Sequence, residues 1–163
     1  MSVIVVATDG SAAATAALDE AIGLARGTGD RLATITVWRA LQGDFGLAFP
    51  STAMLDELLD AERNHAETTL AEAVARAQAA DVVIETRLAT GDPAEQICNF
   101  AAELDARMIA MGTHGYSAVV SLLVGSVSGA VLRRAPCPVL VVGAPNRPRQ
   151  RAGRPSTTQH VTI

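Results

Sequence analysis

Residues 107–128 read Arg-Met-Ile-Ala-Met-Gly-Thr-His-Gly-Tyr-Ser-Ala-Val-Val-Ser-Leu-Leu-Val-Gly-Ser-Val-Ser. The run Met108-Ile109-Ala110-Met111 is apolar at every position, as a strand buried on both faces requires. It opens straight into glycine punctuation: Gly112, Gly115, nine residues, then Gly125-Ser126. Backbone N–H groups free of side-chain bulk at a strand's carboxyl end make a cradle for phosphate oxygens, and Gly115 and Gly125 are expected to use positive φ there. Val127, Ala130 and Val131 then mark a helix that closes at Arg133-Arg134. The start of the chain has the same form. Val3-Ile4-Val5-Val6-Ala7-Thr8 runs into Asp9-Gly10-Ser11, so a second buried strand delivers a carboxylate and a hydroxyl to a sharp strand-to-helix turn. If the two strands are neighbours, their loops enclose one site.

Between these landmarks, strand-like and helix-like stretches alternate. Ser11 is a plausible N-cap for a helix whose inner face is Leu18, Ala21, Ile22 and Ala25, ended by Gly27 and Gly29. Leu32–Trp38 reads as a second strand, and residues 39–50, with two glycines and Pro50, form the longest irregular connection. Ser51 opens a surface helix of roughly seven or eight turns that ends near Ala80. Val82–Leu88 is predicted as the third strand, with Glu85 and Arg87 on one face. Asp92-Pro93-Ala94-Glu95 is a compact helix start: N-cap, proline at the first helical position, and a capping-box glutamate. Ile97, Phe100, Ala101 and Leu104 are that helix's buried stripe. Arg107–Met111 and Pro138–Val142 complete the strands. Five strands separated by helices predict an α/β fold, a doubly wound parallel sheet with helices on both faces. Ligands bind such sheets at the carboxyl edge where strand order reverses. The two chemistry-bearing loops follow strands one and four, so the order 3-2-1-4-5, which makes those strands neighbours, is selected. Residues 1–144 are expected to be one domain. Residues 145–163, with three prolines, four arginines and no acid, read as a flexible basic tail.

Composition limits what such a site serves. At 163 residues and 49% hydrophobic, the chain supports one core. No apolar run approaches the roughly 20 residues that span a bilayer, and Met1-Ser2-Val3 lacks a basic leader region, so the cytoplasm is expected, with no membrane or nucleic-acid partner. The chain contains no lysine, which excludes a Walker-type phosphate loop. Seventeen acids and six arginines lie at or before Asp105, a charge of −11, whereas residues 106–163 hold seven arginines and no acid, a charge of +7. The loop-bearing end is therefore expected to be electropositive and to favour an anion. Cys98 and Cys137 read as reduced structural thiols, and His65, His114 and His160 lie too far apart in sequence for a His/Cys metal set. His114, with no carboxylate nearby in sequence to orient it, reads as a solvent-facing loop residue.

Gly112-x2-Gly115-x9-Gly125-Ser126 resembles the nucleotide-binding signature of the universal stress protein family. Asp9-Gly10-Ser11, Gly91-Asp92-Pro93 and Ala135-Pro136-Cys137-Pro138 through Val142 match its other landmarks in order, over residues 3–142. The resemblance implies a homodimeric, stress-induced cytoplasmic protein that binds ATP or another adenine nucleotide, with Mg2+ or Mn2+ alongside it. Carried across, Ala7, Thr8 and Asp9 line the site from strand one, with Asp9 near the ribose or a phosphate-bound metal ion. Val37 holds the adenine edge through its backbone. Met111, Gly112, Thr113, His114, Gly115, Tyr116, Ser117 and Ala118 wrap ribose and phosphates. Gly125 completes the glycine spacing, and Ser126, Val127 and Ser128 donate to the phosphate tail from a helix N-terminus. The homodimer forms through Val139, Leu140, Val141 and Val142. Three departures stand out: Gly129 where many members carry Asn, Arg107 where many carry an acid, and Trp38 in place of a common His. Trp38 either covers the base or packs against the loop after it. Asp9 is the one carboxylate expected at the site, which argues against efficient catalysis. The alternatives are a slow ATPase or self-phosphorylating enzyme, an AMP- or cyclic-nucleotide-binding protein, and a scaffold dimer that binds no nucleotide.

Overall fold

A computed structural model describes residues 1–38, 52–113 and 125–144. Its elements are β1 (Val3–Ala7), α1 (Ala12–Thr28), β2 (Arg31–Trp38), α2 (Thr52–Gln78), β3 (Ile84–Thr90), α3 (Pro93–Glu103), β4 (Met108–Gly112), α4 (Ser126–Arg134) and β5 (Val139–Val142). The five strands form one all-parallel sheet in the order β3-β2-β1-β4-β5, as the motif positions predicted. The predicted long connection at 39–50, the residue Ser51 and the basic tail fall outside the described residues.

Strand β1 is central and buried along its whole length, so its side chains feed two separate cores. Val3, Val5 and Ala7 join Ile35, Ile109, Met111, Ile97, Phe100 and Val131 on the face covered by α3 and α4. Ile4 and Val6 join Leu18, Ile22, Leu32, Ala73 and Ala77 on the face covered by α1 and α2. A strand buried on both faces cannot alternate apolar with polar, which is why its sequence is a continuous apolar run. Truncation to alanine at such positions, Ile4 or Ile109, costs about 2–5 kcal/mol. The hydroxyls buried beside them are satisfied across strands: Thr34 donates to the Val6 carbonyl at 3.1 Å and Thr36 to the Thr8 carbonyl at 2.9 Å.

Helix ends account for two differences from the predicted boundaries. Gly27 lies inside α1, and Gly29 alone takes the left-handed cap at φ 73°, where the N–H groups of Gly29 and Asp30 both reach the Ala25 carbonyl. The third strand begins at Ile84 rather than Val82. Asp81 adopts φ 57°, and Val82 donates its N–H back to the Ala77 carbonyl at 3.0 Å, so Val82 closes α2 instead of opening β3. Pairing with β2 starts one residue later, with the Leu32 N–H on the Val83 carbonyl at 2.8 Å. No helix of the described residues is long and apolar enough to cross a membrane.

Candidate functional site

The chain after β1 crosses to the α1–α2 face and the chain after β4 to the α3–α4 face, so a crevice opens between β1 and β4 at the carboxyl edge of the sheet. A cavity of about 600 Å³ occupies it. On the β1 side, three short side-chain contacts turn strand into helix. The Gly10 N–H donates to the Thr8 hydroxyl at 3.2 Å, the Ser11 N–H to Asp9 Oδ1 at 3.0 Å, and the Ala14 N–H to the Ser11 hydroxyl at 3.2 Å. Ser11 is therefore the N-cap of α1, and Asp9 holds the turn while staying exposed at the cavity.

On the β4 side, the chain is fixed at Thr113. Its N–H donates to the Val142 carbonyl at 2.8 Å, and its own carbonyl accepts the Gly125 N–H at 2.7 Å. Gly125 then caps α4 with no side-chain hydrogen bond. Among the described residues, the first N–H of α4 to close a helical turn is that of Gly129, which reaches the Gly125 carbonyl at 2.8 Å. The N–H groups of Ser126, Val127 and Ser128 are thus orphan helix-start donors among the described residues, and all three residues line the cavity. By contrast, Asp92 caps α3 by accepting the Glu95 N–H at 2.8 Å, and Ser11 caps α1. Orphan donors combined with the positive end of a helix dipole suit an anion. Ala7, Ile35, Val37, Met111 and Ile97 supply an apolar wall suited to a flat ring.

Ala7, Thr8, Asp9, Val37, Met111, Gly112, Thr113, Gly125, Ser126, Val127 and Ser128, drawn from distant parts of the sequence, all line this one cavity, as does Trp38. His114, Gly115, Tyr116, Ser117 and Ala118 lie outside the described residues. Val139 to Val142, the expected dimer contact, form the edge strand β5. Sequence reasoning missed Ser11, Ala14, Ile35, Glu62, Pro93 and Ile97, which also line the cavity. The N-cap pattern at Asp92-Pro93 places the start of α3 at the carboxyl edge, and that signal locates Pro93 once the topology is known. Nothing in the sequence marks Glu62.

Among the described residues, the charge at the cavity differs from expectation. Arg107 sits at the opposite edge, 2.7 Å from Asp30, and Arg133 and Arg134 are at the far end of α4, with Arg134 3.7 Å from Asp92. Among the described residues the ionisable groups lining the cavity are Asp9 and Glu62, both acids. Of the seven arginines of residues 106–163, Arg107, Arg133 and Arg134 do not line the cavity and the other four fall outside the described residues. Attraction for an anion therefore comes here from backbone donors. Gly125, expected to need positive φ, has φ −61° and ψ 167°, which any residue adopts. Both cysteines are free thiols; Cys98 is buried, and burial pushes both thiols up.

The universal stress protein family model matches residues 1–143. Universal stress protein YxiE of Bacillus subtilis is 32% identical over 143 residues, covering 85% of this chain and 97% of the relative. Among solved structures, the universal stress protein UspA from Lactobacillus plantarum superposes with a TM-score of 0.75 at 28% identity, covering 86% of this chain and 97% of its own. A universal stress protein solved in complex with cAMP gives a TM-score of 0.66 at 30% identity, covering 88% and 98%.

Proposed function

The chain belongs to the universal stress protein family, and on that footing we propose that it binds an adenine nucleotide, ATP foremost, in the crevice between β1 and β4. The observation that carries this reading is the start of α4, whose Ser126, Val127 and Ser128 N–H groups have no partner among the described residues and line a cavity of about 600 Å³ that also has an apolar wall. The base lies against Ile35, Val37 and Met111, and the phosphates meet Ser126, Val127 and Ser128. The relative solved with cAMP supports an adenine ligand. Asp9 and Glu62 would repel a bare polyphosphate, so a divalent ion, Mg2+ or Mn2+, travels with it beside Asp9.

The protein is a binding and regulatory device rather than an efficient catalyst. The chain contains no lysine, and no histidine among the described residues lines the cavity to act as a general base. Two copies pair through β5. Calorimetric titration with ATP, AMP and adenosine, with Mg2+ and then with EDTA, tests the ligand. ATP with Mg2+ is expected to bind at least tenfold more tightly than adenosine and to weaken in EDTA. Equal affinity for ATP and adenosine, or no heat from any of the three, would overturn the reading.

A further inference from the structure

Ser128 is 2% exposed, and its hydroxyl oxygen lies 3.0 Å from the Thr113 carbonyl oxygen and 3.2 Å from the Gly125 carbonyl oxygen. A serine hydroxyl carries one proton, and a carbonyl only accepts. The Ser128 proton is therefore spent on the protein's own backbone, and what the oxygen still offers a phosphate is lone pairs, which repel it. The Gly125 contact is a local one within the first turn of α4. The Thr113 contact joins α4 to the end of β4 across 15 residues of sequence. It reinforces the Gly125 N–H, which reaches the same Thr113 carbonyl at 2.7 Å. Thr113 is in turn anchored to β5 through the Val142 carbonyl at 2.8 Å.

We propose that Ser128 is a positioning residue for anion binding: its hydroxyl fastens the start of α4 to Thr113, so that the N–H groups of Ser126, Val127 and Ser128 are already aimed into the cavity before a ligand arrives. This inference rests on the nucleotide reading of the site but makes a separate claim about the ligand-free protein. Binding to donors held in place avoids the entropy of ordering them, so the hydroxyl raises affinity without touching the ligand.

The test is amide hydrogen exchange at Gly125 in ligand-free protein, together with ATP and adenosine affinities, for the wild type, Ser128→Ala and Ser128→Thr. In Ser128→Ala, Gly125 exchange is expected to accelerate about tenfold, and ATP affinity to fall about tenfold with adenosine affinity unchanged. Ser128→Thr, which keeps the hydroxyl, restores both. If ATP affinity falls while ligand-free exchange stays at the wild-type rate, the hydroxyl is a direct phosphate donor and the proposal is wrong. It is equally wrong if exchange and affinity are both unmoved. Faster exchange in Ser128→Ala with no nucleotide binding by the wild type supports the fastening and overturns the nucleotide reading instead.

Discussion

A methyl group on Gly112 would meet the backbone nitrogen of Ala14 at 2.7 Å, the carbonyl carbon of Ala13 at 2.8 Å and Ala13 Cβ at 2.9 Å. None of these atoms sits on a side chain able to swing aside, so the first turn of α1 and the end of β4 approach as closely as they do because position 112 has no Cβ. Gly112→Ala is expected to cost about 1–3 kcal/mol as overpacking, lowering the melting temperature by roughly 2–4 °C for each kcal/mol. An unchanged melting temperature would mean that α1 yields freely. The glycine itself is visible in the sequence, but its reason is not. Spacing alone assigns Gly112 to a phosphate cradle; the structure places it at the cavity and adds the contact of a helix with a strand 98 residues away. The Ala12-Ala13-Ala14 run is the other half of that contact, and a sequence does not announce which two small surfaces meet.

At the scale of elements, three helices close by the same device, a left-handed residue followed by a backbone donor that reaches back to the last turn. In α1 the left-handed residue is Gly29, in α2 it is Asp81 at φ 57°, and after α3 it is Asp105 at φ 46°. Glycine at such a position is readable in the sequence, and aspartate is not, which is why β3 was expected two residues early. Aspartate is doubly disfavoured there, since a Cβ resists positive φ and a carboxylate opposes the negative end of the helix dipole. Asp81→Gly and Asp105→Gly are each expected to stabilise the fold by about 0.5–1 kcal/mol in denaturant melts, a gain partly offset by glycine's larger unfolded-state entropy. Destabilisation by either change would show that the carboxylate holds a contact of its own. Strand β5 presents a different problem. Its Pro138 and Val142 carbonyls face β4, so the alternation of a strand turns the N–H groups of Val139 and Val141 toward the open edge. An apolar edge with free donors templates pairing. If two copies pair there, the Val139 and Val141 amides exchange slowly at high protein concentration and quickly on dilution. Rates independent of concentration would place the contact elsewhere. Substituting Val141 is a poorer probe, because its side chain packs on the core under α3 and α4.

At the scale of the whole molecule, the strand order was legible because the two loops with unusual chemistry follow β1 and β4, and only an order that makes those strands neighbours puts both at one crevice. The apolar run of β1 and the helix-start pattern at Asp92-Pro93 fixed the layers for the same reason: each is a local requirement of a sheet covered on both faces. What stayed hidden was brought in by the fold. Glu62 reaches the cavity from α2, Ile97 from α3 and Ile35 from the middle of β2. None stands in a motif, and each is recognisable only once three elements have converged. The central claim is that the start of α4 receives the phosphates of an adenine nucleotide whose base rests near Val37 and Met111. Following backbone amide signals by NMR during titration tests it most directly. With ATP and Mg2+, the amides of Ser126, Val127 and Ser128 are predicted to move most and those of Val37 and Met111 to move with them, while adenosine shifts Val37 and Met111 and leaves 126–128 near their free positions. Unmoved amides at 126–128 under saturating ATP, or shifts centred on the groove at the opposite edge beside Arg26 and Asp81, would contradict it.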